Sequence, residues 1–122
     1  MTIIFGGAYQ VMEVYAREAY GARRFCMLDE QSREIDFTAD AVMGLEKYVL
    51  GCVRRGEDPR AAFEGGKYEK CLLIGMDFSC GVVPMDAETR RWRDENGRLN
   101  NYLSARAERV VRMFCGLPQV LK

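Results

Sequence analysis

The sequence predicts an α/β protein, a three-layer sandwich built on a small, mostly parallel sheet. Three observations carry that expectation. Short apolar runs alternate with stretches of helical periodicity, the order that β-α units require. The run Cys71-Leu72-Leu73-Ile74 is continuously apolar rather than alternating, as in a parallel strand covered on both faces. Thr2 to Phe5, β-branched and aromatic, closes on Gly6-Gly7 and leads into a helical pattern.

Taken in order, Thr2 to Phe5 is read as a buried strand. A helix is expected from about Val11 to Tyr20, where Val11, Val14, Tyr15 and Ala19 have helical spacing and Gly21 terminates. Arg24 to Leu28 is a second strand, and the polar residues Asp29 to Asp36 form a loop. Thr38 is expected to cap a helix carrying Val42, Leu45, Val49 and Cys52, ended by Gly56. Asp58-Pro59 opens a short helical turn toward Phe63, which Gly65-Gly66 break. After the strand Cys71 to Met76, Asp86 caps a long helix to about Ala107, with Trp92, Leu99 and Leu103 on one face. Val110 to Cys115 is the last strand. With right-handed crossovers, ligands are expected beyond the carboxyl ends of the strands, where Gly6-Gly7 and Asp77 fall.

Composition bounds the function. A chain of 122 residues suffices for one compact domain. Lys plus Arg and Asp plus Glu both number 18, so no global field draws the chain to nucleic acid or to an anionic membrane. No apolar run approaches spanning length, and Met1 to Phe5 lacks a basic, then apolar, leader pattern, so a cytoplasmic protein is expected. Five cysteines, Cys26, Cys52, Cys71, Cys80 and Cys115, contain no CxxC pair and suggest neither a disulfide framework nor a zinc site. The chain has no histidine, which removes the commonest general base and metal ligand.

A strand, a glycine turn and a helix form the setting in which backbone N–H groups cradle phosphate. Laid on G-x-x-x-x-G-K-[S/T], the segment gives Gly6, then Gly7-Ala8-Tyr9-Gln10, then Val11, Met12 and Glu13 where glycine, lysine and the hydroxyl residue belong. Met12 brings no charge to the phosphates, and Glu13 replaces a magnesium ligand with a carboxylate that repels phosphate. Val11 does not readily take the positive φ that glycine permits. Gly6 to Glu13 is therefore the candidate nucleotide site, against the plainer reading of Gly6-Gly7 as a strand-to-helix turn. Asp77 has two readings, a magnesium ligand or a carboxylate capping a turn. Arg90, Arg91, Arg93 and Arg98 read as a solvated face paired with Asp94 and Glu95, and Trp92 as a core anchor.

The stretch Met76-Asp77-Phe78-Ser79-Cys80-Gly81-Val82-Val83-Pro84, the segment Arg90 to Asn100 and the closing Gly116-Leu117-Pro118 resemble the adenosylcobinamide kinase/adenosylcobinamide-phosphate guanylyltransferase family of cobalamin biosynthesis. That family also opens with a strand and a Gly-Gly-Ala phosphate loop, matching Thr2 to Ala8. The resemblance is to a short variant with much of the middle absent. It implies a single P-loop NTPase-like domain over residues 1–122, GTP or ATP with magnesium, and a cobinamide substrate that is phosphorylated and then guanylylated. Gly6, Gly7 and Ala8 match the phosphate loop, and Asp77 matches an acid at the end of a central strand. The family's lysine and its guanylylated histidine have no counterpart, so no catalytic residue is assigned and a degenerate member is expected. The alternative is a structural or partner subunit using the scaffold without nucleotide. Whether the chain is an enzyme and whether it forms a homo-oligomer are left open by the sequence.

Overall fold

The structure, a computed structural model, describes residues 1–77 and 86–122. One six-stranded sheet runs through it in the order β2-β3-β4-β1-β5-β6. Strand β1 (Thr2–Gly6) is central, paired in parallel with β4 (Leu72–Met76) on one side and β5 (Arg109–Phe114) on the other. Beyond β4 lie β3 (Ala41–Met43) and β2 (Phe25–Met27), both parallel, and beyond β5 the antiparallel β6 (Leu117–Val120). This is the predicted sandwich with a mostly parallel sheet.

Helix α1 (Tyr9–Tyr20) covers one face, where Met12 and Ala16 pack against Ile4, Ile74 and Val111. Helices α2 (Leu45–Arg55) and α3 (Ala87–Arg106), with a 3-10 helix over Pro59–Phe63, cover the other. Ile3, Leu73 and Val110 meet that second layer, so neighbouring residues of one strand feed opposite cores, as the pleat requires. The expected punctuation is present. Gly21 and Gly56 end α1 and α2 in left-handed conformations, the Asp58 side chain accepts from Arg60 N–H, and Asp86 accepts from Thr89 N–H at 2.8 Å.

Three expectations are corrected. Helix α1 begins at Tyr9 rather than Val11, so only Gly7 and Ala8 separate it from β1. The helix expected from Thr38 begins at Leu45, because Ala41–Met43 is a strand. Val42 falls in helical register with Leu45 and Val49 by coincidence, and three buried residues in a row carry no period of their own. Gly44 makes the break, with φ 86° and a position where a Cβ would lie 2.5 Å from the Leu28 carbonyl oxygen. Thr38 instead donates its N–H to Asp36, in the polar turn before β3. The third correction is β6. The last strand turns at Cys115 (φ 52°) and Gly116 (φ 75°), pairing Phe114 with Leu117, as a two-residue hairpin does.

No helix bridges β2 and β3. The loop between them supplies Ile35 and Phe37, which pack on the second core, and Phe37 meets Phe63 and Tyr68 edge-on or tilted. Cys52 and Cys71 are buried thiols whose ionisation burial opposes, and Cys71 donates to the Phe37 carbonyl. Cys26, Cys52, Cys71 and Cys115 are unpaired. Residues 78–85, including Cys80 and most of the Met76 to Pro84 stretch, lie outside the described residues. Among the described residues no helix is long and apolar enough to cross a membrane.

Candidate functional site

The sheet brings the two ends singled out in the sequence together. Gly6 is in register with Met76, so Gly7 and Asp77 leave adjacent strands at the carboxyl edge. Gly6 is closely packed, since a Cβ there would lie 3.1 Å from Met12 Sδ and 3.2 Å from Met113 Cβ. A Cβ on Gly7 would meet nothing within 4 Å. Ala8 is extended and offers α1 no side-chain cap.

The remaining residues of the candidate phosphate segment belong to the helix. Tyr9 opens it, half-buried, with Lys47 Nζ 5.9 Å from its ring centroid. Gln10 and Val11 are exposed on the first turn, and Glu13 pairs with Arg17 at 3.1 Å. Met12, where the phosphate-binding lysine would stand, is fully buried in the core beneath α1. A two-residue turn with an inward methionine does not fit the long loop that wraps a triphosphate, which needs consecutive N–H groups and a lysine aimed at the same point.

The opposite bank of this edge is more elaborate. Met76, the last residue of β4, has both backbone groups held by buried side chains. Its N–H donates to Glu46 Oε1 at 3.3 Å, and its carbonyl accepts from Asn96 Nδ2 at 3.1 Å. Glu46 and Asn96 are only 2% and 1% exposed. Trp92 Nε1 donates to the Glu46 carbonyl at 2.7 Å, so the core anchor also ties α3 to α2. Burial pushes the Glu46 carboxyl above the usual carboxylate range. Asp77 thus leaves a backbone gripped from two helices.

Asp77 opens onto a groove along α3. One cavity of about 530 Å³ is lined by Asp77, Arg93, Asn96 and Asn100, among others. A second, about 560 Å³, shares Asp77 and Asn100 and adds the apolar Phe5, Val110 and Leu121. Of the predicted solvated arginines, Arg98 pairs with Glu95 at 2.8 Å. Among the described residues no three carboxylate or thiol side chains converge as a metal cage. A magnesium ion held by one carboxylate and a ligand's phosphates needs no such cage.

Sequence reasoning missed Glu46 and Asn96. Asn96 had a visible signal, a polar residue four from Trp92 and three from Leu99 on an otherwise apolar stripe. Glu46 had none, because a helix begun at Thr38 puts it mid-helix rather than in the first turn.

Comparison with known proteins agrees with this region. A profile described as cobinamide kinase / cobinamide phosphate guanyltransferase matches residues 59–121, just over half of the chain, from the 3-10 helix through β6. The bifunctional adenosylcobalamin biosynthesis protein CobP of Pseudomonas aeruginosa is 38% identical over 53 residues, covering 43% of this chain and 31% of its own length. The match therefore spans less than a third of that relative. With the β4-to-β6 half carrying both the family match and the groove at Asp77, the chain belongs to the cobinamide kinase / cobinamide phosphate guanyltransferase family.

Proposed function

We propose that this chain is a degenerate member of its family, a single domain that keeps the ligand groove at the end of β4 and has lost phosphoryl and guanylyl transfer. The observation that carries the proposal is Met12, buried in the core at the position where a lysine would meet phosphate. The absent histidine removes a guanylyl-histidine intermediate as well. Nucleotide contact, by GTP or ATP with magnesium, is reduced to the first N–H groups of α1 beside Gly7, with Asp77 across the edge as a candidate for the metal. Helix-terminal N–H groups without a lysine hold an anion weakly. The corrinoid is the ligand for which the groove is retained, and the unpaired thiols suit a reducing cytoplasm.

The test is calorimetric titration of GTP and ATP, with and without magnesium, beside an assay for phosphorylation of cobinamide. The expected result is nucleotide binding no tighter than about millimolar and no phosphorylated product. Robust GTP-dependent phosphorylation of cobinamide by the purified chain would sink the proposal.

A second reading, a structural or partner subunit, is favoured by the apolar side chains of the β5–β6 hairpin. Phe114, Leu117 and Val120 are all more than half exposed. Sedimentation and pull-down separate the readings, since a monomer that captures no partner counts against this one.

A further inference from the structure

The chain as a whole is neutral, but its C-terminal hairpin is not. Residues 109–122 carry Arg109, Arg112 and Lys122 and no Asp or Glu. Among the described residues none of these three cations is in an ion pair. Arg112 lies over the Phe114 ring, 5.3 Å from its centroid, and Lys122 donates to the neutral carbonyls of Ser104 and Ala105. The same segment holds Phe114, Leu117, Val120 and Leu121, each more than half exposed. On α1 the exposed Val11 and Val14 share a groove of about 550 Å³ with Met113 and Pro118. Glu18 also lines that groove, so the cationic character belongs to the hairpin and not to α1. Apolar surface gathered in this way marks an interaction site.

The geometry narrows the occupant. Leu121 N–H returns to the Val110 carbonyl at 2.8 Å, so by the alternation of an antiparallel ladder Pro118 and Val120 turn their backbone groups outward. Pro118 has no N–H to offer there, which disfavours pairing of this edge with an added strand. A two-fold contact with a second copy sets the patch against itself, cation facing cation, with no Asp or Glu of the hairpin to relieve it. The ribbon is also apolar on both sides. Phe114 and Leu117 oppose one another on the face that α2 and α3 cover further back, while Val120 stands opposite Val111 on the face of α1. A flat protein surface covers one side of such a ribbon, whereas a lipid interface surrounds both.

We infer that the β5–β6 hairpin docks the protein on an anionic lipid surface, as a peripheral contact. Phe114 and Leu117 enter the boundary between headgroups and acyl chains, and Arg112, on the same face as Phe114, meets lipid phosphates. Arg109 and Lys122, at the base of the ribbon, add to the field that draws it there. The inference is independent of what the α3 groove binds and of whether catalysis survives.

Flotation of the intact chain with vesicles of phosphatidylglycerol mixed into phosphatidylcholine, and with phosphatidylcholine alone, is the experiment. The expected result is association with the anionic vesicles stronger by about tenfold or more, falling as salt rises. Arg112→Gln should weaken it by about fivefold, the effect of one basic residue near an anionic surface, and Arg112→Lys, which keeps the charge, should retain it. Leu117→Ser should weaken it by about tenfold with the melting temperature unchanged. No association with anionic vesicles at millimolar lipid, equal association with the two vesicle types, or unchanged association in the folded Leu117 variant overturns the inference. A dimer, or a complex with an acidic protein, that depends on Leu117 while vesicles are not bound overturns it as well.

Discussion

Restoring the missing lysine is the most direct test of how Met12 is read. If Met12 faced the turn, Met12→Lys would repair the phosphate loop. The structure puts its side chain at 0% exposure, beneath α1 and against Gly6. A lysine there either buries an ammonium or gives up its proton. Deprotonation at pH 7, 3.4 units below lysine's ordinary 10.4, costs about 4.6 kcal/mol, and lost apolar packing adds about 1 kcal/mol. For a domain of this size a loss of about 6 kcal/mol lowers Tm by roughly 20–25 °C. The sign with pH follows from linkage. A lysine neutral in the fold and charged when unfolded leaves the unfolded chain binding the extra proton, so the variant regains stability as pH rises toward 10. Between pH 7 and pH 9 the gap to the parent should narrow by about 2.7 kcal/mol. Thermal melts followed by circular dichroism at both pH values, with GTP titration of each protein, make the assay. A variant melting within about 3 °C of the parent, or one that gains nucleotide affinity, would show that Met12 is not where the core places it.

Other perturbations probe the same edge. Gly6→Ala should cost about 1–2 kcal/mol by crowding Met12 Sδ and Met113 Cβ, and an unchanged urea midpoint would contradict that packing. Glu46→Gln keeps the acceptor for Met76 N–H and removes the charge. Because burial raises the folded carboxyl pKa above 4.5, the parent loses stability as pH climbs from there through the folded value, while the variant does not. Denaturant midpoints that coincide near pH 4 and diverge toward pH 7 are expected, and parallel profiles would count against it. Asp86→Ala should lower Tm at neutral pH by uncapping α3. Hydrogen bonds from Thr89 hold the folded Asp86 carboxyl below its ordinary range, so its contribution is present above that range and fades as pH falls through the folded value. A Tm deficit that persists unchanged in strong acid would argue against capping as the cause.

The sandwich, its mostly parallel sheet and most of its strands and helices were legible because their signals were local. The unbroken apolar run before Met76, the capping Asp86 and the closing Gly21 and Gly56 each act within a few residues. What failed depended on distance. Whether Val42 belongs to a strand or a helix is decided by Leu73 alongside it and Leu28 across the Gly44 turn. The hairpin at Cys115-Gly116 was hidden by Pro118, which demotes a strand in any local reading. At the site, Asp77 and Gly7 could be named from the strand ends. The direction of Met12 and the grip of Glu46 and Asn96 on Met76 exist only once α1 has begun just after the Gly7-Ala8 turn and α2 and α3 have packed together on the other face.

The central position of β1 also governs when the protein can exist as a folded object. Thr2 pairs with Leu72 on one side and with Arg109 on the other, so β1 finds both its neighbours only after the chain through β5 has been synthesised. Until then Ile3, Ile4 and Phe5, all nearly or wholly enclosed in the finished protein, travel without cover. Both of their partners arrive late, and long-range parallel pairing is slow and prone to aggregation while it waits. The interval between the making of β1 and the making of β5 is therefore the stage at which cellular folding factors have most to protect.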